Sequence, residues 1–147
     1  MTNLPKRKRL PHAMPCWVKG SEPWFITVCC AERGRNSLAK PDAHACVSET
    51  LRTRQALGQL RVLAYVLMPD HLHLIARFDQ KTGMVKIISS LKRFVSRETG
   101  VEWQRGFFDH RIRTDMQLRE IEAYVRMNPV RAGLAGSPDE WPYAGPR

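Results

Sequence analysis

The chain has 147 residues, 43% hydrophobic and 26% charged, a globular composition of a size that one compact domain can fill. Twenty-four Lys and Arg against 14 Asp and Glu leave a formal charge of +10 and a pI near 10.0. That balance points to polyanionic partners, nucleic acid first, and no apolar run approaches the roughly 20 residues of a membrane span.

Residues 1–23 are rich in Pro and basic residues, with Lys6, Arg7, Lys8 and Arg9 unbroken, and read as an extended basic arm. They lack the apolar core and cleavage site of a secretory signal. The four cysteines (Cys16, Cys29, Cys30, Cys46) have no C-x-x-C spacing, so a cytoplasmic protein with free thiols is expected. A zinc site from Cys29, Cys30, His44 and Cys46 would need an unfamiliar ligand spacing.

"WFITVCC" (24–30) is β-branched and aromatic, a first strand. The Pro-Asp start and the spacing of Ala45, Val47, Leu51 and Leu57 predict a helix from Asp42 to about Leu57, ended by Gly58. "LRVLAYVLM" (60–68) and "HLHLIARF" (71–78), joined by Pro69-Asp70, predict an antiparallel hairpin. A helix over 84–99 follows, with Ile87, Ile88, Leu91, Phe94 and Val95 as its apolar stripe. "GFFDHRIR" (106–113) is a fourth strand, and Thr114 or Asp115 caps a last helix that Asn128-Pro129 closes. Residues 129–147 carry too much Pro and Gly for an element and read as a docked tail. The order is β-α-β-β-α-β plus one helix: an α+β, ferredoxin-like antiparallel sheet with an appended C-terminal helix, in one domain.

Within the third strand, period-two alternation puts His71, His73 and Ile75 on one face and Leu72, Leu74 and Ala76 on the other. Two imidazoles so placed either offer two nitrogens to one metal ion or are satisfied by backbone and solvent. On the last helix, Leu118, Ile121 and Val125 form the buried stripe, and Gln117, Tyr124 and Asn128 fall together along its flank. Alone, Tyr124 reads as a boundary tyrosine with a buried ring and a wet hydroxyl. Together the two elements supply phosphodiester chemistry. Two histidines and an amide oxygen make a three-ligand site for a divalent ion, Mg²⁺ or Mn²⁺, and tyrosine is an oxygen nucleophile able to form a covalent intermediate.

"LMPDHLHLI", followed about fifty residues later by "YVRMNPVRAGL", resembles the REP-associated tyrosine transposases. These are HUH single-strand nucleases related to the insertion-sequence transposases that use one tyrosine. The resemblance covers most of the chain, including the first strand, "WQRGFFDHRIR" and "WPYAG". It implies that His71 and His73 are the family's histidine pair and Tyr124 its nucleophile, with Asn128 completing the metal site. It further implies attack on single-stranded DNA, leaving a 5′-phosphotyrosine link and a free 3′-hydroxyl, beside imperfect hairpins of repetitive extragenic palindromes. The family commonly has Asn where this chain has Asp70, whose added charge would either tighten metal binding or repel the phosphate. Related transposases exchange tyrosine helices in a dimer. Gly and Pro are sparse between His110 and Tyr124, so a monomer is expected.

His110 is a candidate proton relay or phosphate contact, or else a structural strand histidine. Lys86, Arg93 and Arg97 share one side of their helix, as a solvated face or as a track for DNA phosphates; Lys6, Arg7, Lys8 and Arg9 could hold a hairpin stem likewise. Trp103, Arg105 and Arg131 are candidates to stack on or clamp unpaired bases. A metal-dependent DNA transposase or endonuclease is the leading reading. A hairpin-binding relative that does not cut, and a phosphoesterase with water as nucleophile, are the alternatives.

Overall fold

The structure, a computed structural model, describes residues 22–147; the cationic run Lys6, Arg7, Lys8 and Arg9 lies outside them. In chain order the elements are β1 (Trp24–Cys29), α1 (Pro41–Ala56), β2 (Leu60–Met68), β3 (His71–Phe78), α2 (Met84–Thr99), β4 (Phe108–Arg111), α3 (Asp115–Arg131) and β5 (Ala144–Gly145), with a 3₁₀ turn at Pro138–Glu140. The sheet is antiparallel in the order β4-β1-β3-β2-β5. Its first four strands have the ferredoxin-like arrangement read from the sequence.

Alternation sends the two faces of β3 into two separate cores. Leu72, Leu74 and Ala76 join Ile26 and Val28 of β1 beneath α1 and α2, where Val47, Leu51, Ile87, Ile88, Leu91 and Val95 close the layer. Ile75 packs on the opposite face with Ala64, Val66, Met68, Ile112, Trp141 and Val125 of α3. A bulge in β2 between Val62 and Ala64 inserts one extra residue, Leu63, against β3. It shifts the parity of the strand, so Leu60 and Val62 before it and Tyr65 and Leu67 after it all reach the α1–α2 side.

Four expectations change. The buried stripe of α1 runs through Ala43, Val47 and Leu51, not Ala45 and Leu57. Ala45 lies about 200° round the helix from Ala43, and Leu57 is past its end and 64% exposed. The fourth strand shrinks to four residues. The last helix does not stop at Asn128-Pro129 but runs on to Arg131 with Pro129 inside it. A proline this near a C-terminus forfeits little of the helix ladder, and burial of Asn128 and Pro129 against the sheet favours continuing. Gly133, at φ 76°, then turns the chain out. The tail therefore begins after α3, not at residue 129, and it does form an element: β5 pairs Ala144 with Val66 and Gly145 with Tyr65. Gly145 is required there, because a Cβ would lie 2.8 Å from the Tyr65 ring and hydroxyl.

Trp141 fastens this tail. Its indole packs in the α3-side core and donates Nε1–H to the Leu67 carbonyl at 3.0 Å. Trp141→Ala removes both, and urea unfolding should show a loss of about 3–5 kcal/mol. No helix among the described residues is long and apolar enough to cross a membrane. Cys29, Cys30 and Cys46 are free thiols.

Candidate active site

β3 is flanked by β1 and β2, and its register sets Thr27 and Val66 beside His73, and Cys29 and Met68 beside His71. The two imidazoles stand 4.7 Å apart between ring centroids, tilted by 74°. Each is held at Nδ1: His71 donates to Asp70 Oδ1 at 2.9 Å, and His73 pairs with the Thr27 hydroxyl at 3.0 Å. Among the described residues neither Nε2 makes a hydrogen bond. Histidines tied at one nitrogen and open at the other have the arrangement that ligation requires.

Asp70 does not stand as an uncompensated charge. Its other oxygen accepts from Arg33 Nε at 3.0 Å and from the Gly34 amide at 2.7 Å. Burial works to raise this carboxyl, but hydrogen bonds from Gly34, His71 and Arg33, with the guanidinium charge, outweigh it and bring it down to about 2. Burial pushes His73 the other way, down to about 3, aided by repulsion from His71, Arg131 and Arg33. His73 is therefore a neutral imidazole at pH 7. The unfolded chain takes a proton on His73 near pH 6.5, whereas the folded chain refuses it until about pH 3. Stability is thus retained above pH 6.5 and should fall through that window, by at most about 1.4 kcal/mol per pH unit. Denaturant unfolding from pH 7 to 4 measures the slope, and His73→Gln should flatten it.

Tyr124 comes to this pair from α3, which the side chain of Thr114 caps by accepting from the Gln117 amide. Gln117 is used locally, its amide oxygen accepting from Arg113 N–H. The Tyr124 ring lies 5.8 Å from that of His73 and 6.3 Å, edge to face, from that of Phe25, itself 5.1 Å from His73. It remains 46% exposed. Arg131, one of the candidate DNA contacts, is engaged with the tyrosine: its guanidinium sits 4.2 Å over the ring and donates to the Tyr124 carbonyl. Asn128, one turn from Tyr124, is a buried residue of α3, and its Nδ2 has no hydrogen-bond partner among the described residues. Among the described residues no three His, Cys, Asp or Glu side chains cluster to hold a metal, so an ion on the histidine pair would draw its third protein ligand from elsewhere, such as the Asn128 amide.

His110 shares the sheet face of Phe25 and Tyr124, since β4 pairs it with Phe25, and it is exposed. Lys86, Arg93 and Arg97 lie on α2, in the layer across the sheet from Tyr124. There an open groove of about 740 Å³, lined by Arg93, Arg97, Trp103 and Arg105, separates α2 from residues 102–106. Trp103 is partly buried against the core with Nε1–H on the Lys92 carbonyl, so its ring is not a free stacking surface. The sequence reading missed Thr27, Phe25 and Arg33. Thr27 and Arg33 reach the site through pairings 46 and 37 residues apart in the chain, which no local spacing signals.

The family described as IS200-like transposases matches residues 25–128, a span that takes in the histidine strand and most of the tyrosine helix. A REP-associated tyrosine transposase of Escherichia coli is 24% identical over 131 residues, 87% of this chain and 78% of that protein. A Haemophilus influenzae protein named as a member of the same group is 31% identical over 100 residues, where the match spans 56% of each chain. A solved REP-associated tyrosine transposase bound to a REP hairpin superposes with a TM-score of 0.72 at 21% identity, covering 96% of this chain and 82% of that one. A Deinococcus radiodurans protein classed as a transposase shares the fold at a TM-score of 0.50 and 13% identity, over 83% of this chain and 95% of its own. The chain belongs to the IS200-like transposase family.

Proposed function

We propose that this protein is a divalent-metal-dependent strand transferase that cuts single-stranded DNA beside a hairpin through a 5′-phosphotyrosine intermediate. The observation that carries the reading is the meeting of Tyr124 with His73, 5.8 Å ring to ring, two residues 51 positions apart in sequence. The donor set suits Mg²⁺ or Mn²⁺: a neutral His73, two histidine Nε2 atoms that make no hydrogen bond among the described residues, and the buried side-chain amide of Asn128, whose oxygen would be the ligand. Held by His71, His73 and Asn128, such an ion would neutralise the nonbridging phosphate oxygens and orient the phosphate.

The chain's own groups do the rest. The phenol of Tyr124 gives up its proton and its oxygen bonds to phosphorus as the bond from phosphorus to the 3′-oxygen breaks; that oxygen leaves and takes up a proton. One phosphodiester is exchanged for another, so the link can be reversed onto a new 3′-hydroxyl. Arg131 holds the ring from above and places positive charge near the phosphate. Asp70 acts on His71 as an orienting carboxylate whose charge Arg33 balances, so it supports the ligand and does not repel the DNA. His110 lies at the rim as a phosphate contact. Lys86, Arg93 and Arg97, with Lys6, Arg7, Lys8 and Arg9, hold the DNA backbone through charge, so binding should weaken steeply with salt. The partner inferred is DNA carrying a palindromic hairpin of the kind named for the solved relative, met in the cytoplasm by a monomer.

Labelled single-stranded DNA with such a hairpin, taken from sequence flanking the gene, is incubated with Mn²⁺ or Mg²⁺ and run on a denaturing gel. A shifted covalent band that EDTA abolishes is the expected result. Retention in a native gel without adduct or cleavage would leave a hairpin-binding protein only.

A further inference from the structure

Two adjacent phenylalanines, Phe107 just before β4 and Phe108 at its start, have opposite fates. Phe107 packs against the core under α2, whereas Phe108 turns to the catalytic face and is 67% exposed. Folding accounts for the first ring and not the second. Its place is defined by pairing: Phe108 lies opposite Thr27, the residue that holds His73, and its strand neighbour on that face, His110, lies opposite Phe25, which touches both His73 and Tyr124. The ring thus stands on the outer wall of the site, two strands from the histidines, or about 10 Å.

A flat aromatic face, open to solvent and within about 10 Å of the proposed phosphodiester site, suits an unpaired base whose backbone runs through that site. We propose that Phe108 is a stacking platform for one unpaired nucleobase of the scissile strand, one or two nucleotides from the phosphate that Tyr124 attacks. The proposal rests on the strand-transfer reading above. It makes Phe108 a positioning residue for the single-stranded segment, separate from the groups that do the chemistry.

The test uses the full chain and hairpin oligonucleotides carrying 2-aminopurine at successive unpaired positions, with Phe108→Ala, Phe108→Leu and Phe108→Trp. One position should be quenched by the wild-type protein and by Phe108→Trp, and not by the Ala or Leu variants. KM for cleavage should rise about 5- to 150-fold in the Ala and Leu variants, with kcat within about twofold. The leucine variant is decisive, since it keeps apolar area but offers no π face. An unchanged KM in Phe108→Leu, or quenching at no position in the wild type, would overturn the proposal. If the wild type shows Phe108-dependent quenching yet never forms an adduct, the platform stands and the strand-transfer reading falls. All three changes sit on an exposed edge position, and matching thermal melts would exclude misfolding as the cause.

Discussion

Tyr124→Phe is expected to abolish the covalent protein–DNA band and to lower cleavage by at least about a thousandfold, the scale on which loss of a nucleophile is felt. The substitution removes one oxygen and little else. The ring keeps its contacts with Phe25, His73 and the Arg131 guanidinium, and Tyr124, at 46% exposure, is not a core residue whose trimming would unsettle the helix. The melting temperature and native-gel affinity for the hairpin should stay close to wild type. Both can be measured on the protein used for the denaturing gel. Free cutting by Tyr124→Phe would sink the tyrosine mechanism and leave water as the nucleophile on the same metal site.

His73→Ala should be as damaging to cleavage by a different route, and EDTA on the wild type should reproduce it. The substitution deletes an inferred metal ligand, leaves the Thr27 hydroxyl without its imidazole, and opens a space beside Phe25. Mn²⁺ binding followed by paramagnetic resonance should be lost together with activity. Asp70→Asn makes a graded comparison. It keeps a hydrogen-bond acceptor for His71 but discharges the group that Arg33 and Gly34 now hold, and changes at supporting partners of this kind cost about 10–100-fold. Mn²⁺-dependent cleavage by His73→Ala would remove the histidine pair from the metal site.

What could be read in advance was whatever obeys a local period. Strand alternation separated His71 and His73 from Leu72 and Leu74, and helical spacing put Val125 inward with Tyr124 beside it. Where two rules competed, the local one misled. Asn128-Pro129 has the form of a helix stop, yet burying both residues against the sheet outweighed one lost backbone bond. In α1 several apolar residues could define a stripe, and the choice among them is made by α2 and the sheet. Two juxtaposed phenylalanines give no hint of which one faces out, because that depends on which core is already full. The Asp70–Arg33 and Thr27–His73 contacts, like the Arg131 cap on Tyr124, exist only after strands and helix are assembled.

The position of β3 between β1 and β2 has a consequence for how the molecule opens. The strand that carries the two histidines is paired on both sides along its length, and residues of its two faces pack into the two apolar cores. Its hydrogen exchange should require unfolding of the whole domain. The tyrosine is mounted differently, on a helix whose fully buried apolar contact is mainly Val125, with Leu118 and Ile121 only partly covered. Amides of α3 should exchange through smaller, cheaper openings. The seam between a slow-exchanging sheet and a faster-exchanging helix would then fall between the inferred metal ligands and the inferred nucleophile, and the site would come apart while its histidine half stays folded.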